Sequence, residues 1–138
     1  MPYDGDTRQF EVNLRIEDDA ILGLLERGRM RVRRGWCQEV LAKLRSGQRV
    51  LGFRVRPIPD EEVRDVCAIG AIFIEEPFSH NVRTAIRYLR ESLPPGWRGR
   101  SVSFYNDNKC RTRAEILSLY DRAIELRKQT LKTIERQG

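Results

Sequence analysis

The stretch SVSFYNDNKCRTRAEILSLYDRAIELRKQ, residues 101–129, decides the fold. Thr112 is followed three residues later by Glu115, the spacing of a capping box. There the hydroxyl accepts from a first-turn amide and the carboxylate reaches back to the amide of the cap. Ile116, Leu117, Tyr120, Ala123, Ile124 and Leu131 then recur at helical spacing, and Leu119 and Leu126 widen the apolar face. Asp121, Arg122, Glu125, Lys128 and Gln129 occupy the other side. Such a stripe predicts an amphipathic helix against a core. Apolar residues thin out beyond Lys128, so residues 129–138 are expected to be a projecting or frayed helix end. Val102, Phe104 and Tyr105 predict a short strand or buried loop before Asn106.

Upstream, Ser79 precedes a stripe of Val82, Ala85, Ile86, Leu89 and Leu93, a helix stopped by Pro94-Pro95-Gly96. Asp60 with Glu61 and Glu62 has the charge of a helix N-terminus. Residues 66–74 are apolar on every side, which predicts a helix buried all round, with Gly70 allowing close backbone approach and Pro77 ending it. Asp18 and Asp19 offer an N-cap for a helix carrying Ile21, Leu22, Leu24 and Leu25 and ending by Gly35. Its second half, Arg27 to Arg33, also alternates and is compatible with extended chain. Between these helices, Ser46-Gly47 is a turn; after it Leu51, Phe53 and Val55 alternate as a strand, while Val40, Leu41 and Leu44 before it suit a short helix by period. Residues 1–8 are polar and expected to be loose. Phe10, Val12, Leu14 and Ile16 alternate with polar residues, so 9–16 reads as a strand-like arm. The fold class expected is α+β: about four helices around one core, with a small irregular antiparallel sheet, in a single domain over residues 1–138.

Three segments carry a resemblance. They are Gly-Trp-Cys-Gln-Glu-Val-Leu-Ala at 35–42, Val-Cys-Ala-Ile-Gly-Ala-Ile at 66–72, and Asn106-Asp107 followed by Arg111-Thr112, Glu115 and Asp121-Arg122-Ala123-Ile124. In order and spacing, over roughly residues 18–127, the chain resembles the domain of unknown function 6197 family, uncharacterised proteins of actinobacteria and their phages. It departs in having Phe104-Tyr105 where that family more usually carries a tryptophan, and in its N-terminal arm. The resemblance implies a fold and no reaction, and it favours two short antiparallel strands around the Ser46-Gly47 turn over a helix there.

Composition narrows the classes. A chain of 138 residues with 40% apolar content can bury a real core. No run of about 18 apolar residues occurs, so no membrane span is expected, and no signal peptide is visible. Cys37, Cys67 and Cys110 are odd in number and far apart, which fits free thiols in a reducing, cytoplasmic setting. The net charge of +6 predicts affinity for polyanions. Lysine occurs only at 43, 109, 128 and 132, so the excess is almost all arginine, a bias that a GC-rich coding sequence also gives.

Four constellations could carry function. Cys67 as nucleophile, His80 as base and Asn106 as orienter have the chemistry of a thiol hydrolase, although Cys67 lies in an apolar segment where burial raises a thiol pKa. A metal site has no support: one histidine and three scattered cysteines lack ligand spacing, and no cofactor motif is present. Arg27, Arg31 and Arg34 share a helical face, Arg54, Arg56, Arg98 and Arg100 add charge, and Trp36 or Trp97 could stack on bases, so nucleic acid is a possible partner. Were that face instead paired internally, local acids such as Glu26 and Glu39 would be its partners. Asn106-Asp107-Asn108 has turn chemistry, with Asn106 expected to tie the loop to the domain and Asp107 to pair with Arg111 or Arg113. Beside Trp36, Asn106 and Asp107 could also form a polar patch for a ligand or protein partner. The function expected is a non-catalytic cytoplasmic binding or accessory domain, possible phage association included, with an unidentified protein partner. A nucleic-acid-binding accessory protein is the alternative, and a thiol hydrolase the third.

Overall fold

The computed structural model describes residues 18–52 and 56–137. The expected loose segment 1–8, the strand-like arm 9–16 and the stretch around Phe53 and Val55 lie outside the described residues.

Asp19 caps the first helix, α1 (Ala20–Arg34), its carboxylate accepting from the Leu22 amide at 2.8 Å. The helix stays helical through Arg34 and stops at Gly35, so the alternation from Arg27 to Arg33 has no extended counterpart. Leu24, Leu25 and Val32 carry its buried face. The chain then forms β1 (Ala42–Leu44), turns at Ser46-Gly47 and returns as β2 (Arg49–Val50), the strand pair that the resemblance implies rather than the short helix that the period of Val40, Leu41 and Leu44 allows. Gly47 takes the left-handed conformation, φ 93°, that the turn demands.

The expected helix from Asp60 to 74 is instead three elements. Asp60–Glu62 is a single 3-10 turn, Val63–Val66 is strand β3, and only Gly70–Phe73 is helical, as α2. The sheet order is β2-β1-β3, all antiparallel, with Ala42 opposite both Val50 and Val66. An isolated parallel bridge also joins Trp36 to Val66. The apolar run of 66–74 gains its burial from surrounding elements rather than from one continuous helix. β-Branched Val63 and Val66 fit a pleated surface, and their partners at 42–44 and 35–37 are distant in sequence. Gly70 packs so closely on the Leu41 carbonyl that no Cβ fits there.

Ser79 caps α3 (His80–Glu91), accepting from the Val82 amide. The Val102–Asn106 segment is not a strand or loop but a short helix, α4, capped by Ser101. Its buried residues, Val102, Tyr105 and Asn106, recur at helical spacing, while Phe104 points to water. Finally Thr112 and Glu115 form the capping box of α5 (Arg113–Gln137): the Thr112 amide donates to Glu115 at 3.0 Å and the Glu115 amide to Thr112 at 3.3 Å. Helix α5 continues without a break through Gln137.

The described residues thus form an α+β fold of five helices and a three-stranded antiparallel sheet. Helix α1 is central, packed against α5, α3 and α2. Tyr120 lies fully buried in this core, and its hydroxyl donates to the Ala68 carbonyl at 2.6 Å. No described helix is long and apolar enough to cross a membrane.

Candidate functional site

Trp36, Asn106 and Asp107 do come together, but as a tie rather than an open groove. Asn106, the last residue of α4, is 0% exposed. Its Oδ1 accepts from the Trp36 indole at 2.8 Å and from the Ala68 amide at 3.0 Å. Its Nδ2 donates to the Cys37 carbonyl at 3.2 Å and to the Asp107 carboxylate at 2.9 Å. Two accepted and two donated bonds fill the capacity of a carboxamide. Asp107 pairs with neither Arg111 nor Arg113: the oxygen that meets Asn106 also accepts from the Glu39 amide at 2.9 Å. Glu39 sits there at φ 73°. Gln38 completes the knot by donating to the carbonyls of Asn106 and Asn108. The end of α4 is therefore fastened to residues 36–39, almost 70 positions earlier.

The thiol trio is not assembled for attack. Cys67 is 5% exposed, and its sulfur accepts from the Gly70 amide at 3.2 Å. Burial pushes this thiol up to about 11, although the Gly70 amide pulls it partly back. Burial and the neighbouring Cys67 push Cys37 up to about 12. Both are poor nucleophiles at neutral pH, because attack needs the thiolate. His80 is exposed at the start of α3 and makes no hydrogen bond to Cys67 or Asn106 among the described residues. All three cysteines are free, with only Cys110 exposed. No group of three His, Cys, Asp or Glu side chains able to hold a metal ion occurs among the described residues.

The expected arginine stripe on α1 is largely consumed inside the molecule. Arg27 holds Glu75 through two bonds, at 2.8 and 2.6 Å. Arg31 is only 10% exposed along its side chain and reaches Asp60, Glu75 and the Ala71 carbonyl at 2.7–2.8 Å. Arg29 pairs with Asp121 at 2.6 Å. Of the three named residues, Arg34 alone has no carboxylate partner among the described residues, its Nη2 lying 3.4 Å from the Met30 sulfur. The partners are not the local acids Glu26 and Glu39 but residues brought in from β3's approach, α2 and α5. Burial pushes the Glu75 carboxyl upward, but the guanidinium groups of Arg27 and Arg31 outweigh it and hold the group below its ordinary value.

A different face keeps most of its arginines unpaired among the described residues. Arg83, Arg87 and Arg90 lie at i, i+4 and i+7 on the exposed side of α3. Arg90 and Arg98 line one hollow of about 490 Å³ with Glu91 and Leu126. Arg83, Arg90, Arg98 and Arg100 form no ion pair among the described residues, and Arg87 meets Glu91 only at 3.9 Å. Next along the surface stands an aromatic stack. Phe104 is 53% exposed and tilts against Trp97, with ring centroids 5.8 Å apart. Trp97 meets the edge of Tyr105 at 5.4 Å. The Arg111 guanidinium lies 3.6 Å from the Tyr105 ring centre and 4.9 Å from that of Trp97. Glu115 and the Tyr105 carbonyl fix that guanidinium in turn, at 2.7 and 2.9 Å. Arg100 sits over Phe104 at 5.0 Å.

Trp97, Arg98 and Arg100 are among the sequence candidates for nucleic-acid contact, whereas Phe104 and Arg90 are not. Ser101 was the missed signal: as an N-cap it makes 102–106 helical, and helical spacing then turns Phe104 away from the buried Val102, Tyr105 and Asn106.

No curated protein and no solved structure matches this sequence. One family model does, over residues 17–126, a span that holds the Asn106 tie, the arginine face and most of the helical core. The chain belongs to that family, described as a family of unknown function (DUF6197).

Proposed function

We propose that this chain is a binding domain without catalytic chemistry of its own, and that its working surface is the arginine face running from α3 to the start of α4. One contrast carries the reading. Arg27 and Arg31 are neutralised by Glu75 and Asp60, whereas Arg83, Arg90, Arg98 and Arg100 are exposed and have no carboxylate partner among the described residues. Five arginines gather there against Glu91 and, at the rim of an adjoining hollow, Glu125. Unpaired like charges on one face repel one another and raise the local potential, which favours a polyanionic partner. Burial of Cys37 and Cys67 and the full use of the Asn106 amide speak against a thiol mechanism. Three free thiols fit a reducing compartment such as the cytoplasm.

Retention on a heparin matrix tests the location of the surface. The Arg90→Ala/Arg98→Ala/Arg100→Ala variant should elute at clearly lower salt than the wild type. An Arg29→Ala/Arg34→Ala/Arg64→Ala variant loses the same charge elsewhere and should shift far less. Equal shifts in the two variants would mean that net charge alone governs retention, and this surface would lose its claim.

A further inference from the structure

We infer that the polyanion taken by this face is single-stranded nucleic acid, with Phe104 backed by Trp97 as the platform on which an unpaired base stacks. The inference rests on the reading of the arginine face as the working surface and adds the partner class. Charge by itself would suit a duplex, a single strand or an acidic protein equally. The aromatic stack distinguishes them. A phenylalanine left more than half exposed beyond Arg100, at the end of the track, is of no use to a phosphate, and a duplex hides the faces of its bases. A splayed base offers a flat ring that such a side chain can cover.

The platform is preorganised. Trp97 lies in the 3-10 turn Pro95–Trp97, which Pro94 and Pro95 stiffen. Behind it, Arg111 is pinned by Glu115 and by the Tyr105 carbonyl, so the indole rests on a fixed guanidinium and on the buried Tyr105 ring. Phe104 leans on that indole from the first turn of α4. Arg100 hangs over the same ring with its charge in solvent, where the phosphate of a stacked nucleotide would find it. From Arg100 the strand's backbone can follow Arg98, Arg90, Arg87 and Arg83, which succeed one another across the hollow and along α3.

Fluorescence anisotropy with an oligothymidylate of about 12 nucleotides, inside the usual site-size range, tests this on the full chain. The wild type should bind it more tightly than a duplex of the same length, with a log–log salt slope of about −0.7 per phosphate contact. Arg98→Ala/Arg100→Ala should flatten that slope by roughly 1.4 units by the same rule. Phe104→Ala should weaken binding by roughly fivefold or more while leaving the slope unchanged, because stacking releases no counterions. Phe104→Tyr should restore affinity. Circular dichroism should find both Phe104 variants folded, since the side chain is largely in water. Heparin retention with unchanged oligothymidylate affinity in Phe104→Ala would overturn the stacking platform and leave the polyanion surface standing. So would preference for the duplex, or equal competition by a polyglutamate peptide, which would point to an acidic protein partner. Failure to bind either heparin or the oligonucleotide would overturn both readings together.

Discussion

The indole N–H of Trp36 donates to Asn106 Oδ1 at 2.8 Å, and the same oxygen takes the Ala68 amide at 3.0 Å. One buried side chain therefore joins the segment after α1, the turn after β3 and the end of α4. Asn106→Ala would leave the Trp36 N–H, the Ala68 N–H and the Cys37 carbonyl without partners in the interior. Unmade buried bonds cost about 1–3 kcal/mol each, so a loss on the order of 4 kcal/mol is expected by urea denaturation. Asn106→Asp is the finer probe. It keeps the acceptor but turns an oxygen toward the Cys37 carbonyl and the Asp107 carboxylate. That variant should be much weaker than wild type at neutral pH and recover partly in acid, where protonation restores a donor. Wild-type stability of Asn106→Asp at pH 7 would show that the amide is not the tie.

The thiols give a second prediction. In the native state a thiol reagent should modify Cys110 alone, and in denaturant all three cysteines. Burial raises Cys67 to about 11 and Cys37 to about 12, from an ordinary value of 9. A folded value above the unfolded one means that the folded chain holds the proton more tightly. The stability from these groups is then complete below pH 9 and is lost as pH rises from 9 toward 12. A Cys37→Ala/Cys67→Ala variant should lose less stability than the wild type across that interval. Rapid native labelling of Cys67, or parallel alkaline limbs in the two proteins, would contradict the burial.

What could be read from the sequence was local. The caps Asp19, Ser79 and Thr112 with Glu115 act within three residues, and the Ser46-Gly47 turn within a few more, so their chemistry is written in adjacent letters. Strand β3 was not legible, because Val63–Val66 is extended only by virtue of partners at 42–44 and at Trp36. Its own sequence, between the acidic Asp60–Glu62 turn and the apolar run 66–74, reads as part of a helix. The partners of the α1 arginines failed for the same reason: Glu75 lies 48 positions from Arg27 and 44 from Arg31. Trp36 and Asn106 were named as neighbours, yet no periodicity could say whether they faced a ligand or each other. Helix α4 is hard to read because it is one turn long, its local signal is the Ser101 cap, and Val102, Phe104 and Tyr105 also suit a short strand.

Arg31 ties α1 to the Asp60 turn and to α2 through Asp60, Glu75 and the Ala71 carbonyl. Its side chain is 10% exposed, so removing it takes one of two guanidinium partners from the half-buried Glu75 and the side-chain donor from the Ala71 carbonyl. Arg31→Ala should cost about 2–4 kcal/mol in urea denaturation. Arg31→Lys should recover little, because an ammonium cannot span three acceptors as a planar fork does. A double-mutant cycle with Glu75→Ala should return a clear coupling energy. Neither single substitution should alter heparin retention beyond the change in net charge. Unchanged urea midpoints with a selective loss of oligonucleotide binding would put Arg31 back on the outer surface.

The acid side of the stability profile should depend on Asp19. Its carboxylate caps α1 and also takes two bonds from Arg127 of α5, at 2.9 and 2.6 Å, while Arg127 donates to the Tyr88 hydroxyl of α3 at 3.0 Å. Burial pushes the Asp19 carboxyl upward, but Arg127 and the Leu22 amide together outweigh it and hold the group below 3.8. A depressed folded value contributes stability above the unfolded value and loses it as pH falls through the folded one. Asp19→Asn keeps a capping oxygen and abolishes the charge. At pH 7 it should cost on the order of 2 kcal/mol, the scale of a charge-assisted hydrogen-bonded pair with little solvent exposure. Below about pH 4, where wild-type Asp19 begins to take up its proton, the two proteins should converge. Glu75 titrates in both, so its own acid loss cancels in the difference. A gap between wild type and Asp19→Asn that stays constant from pH 7 to pH 3 would mean that the Arg127 pair contributes nothing through its charge.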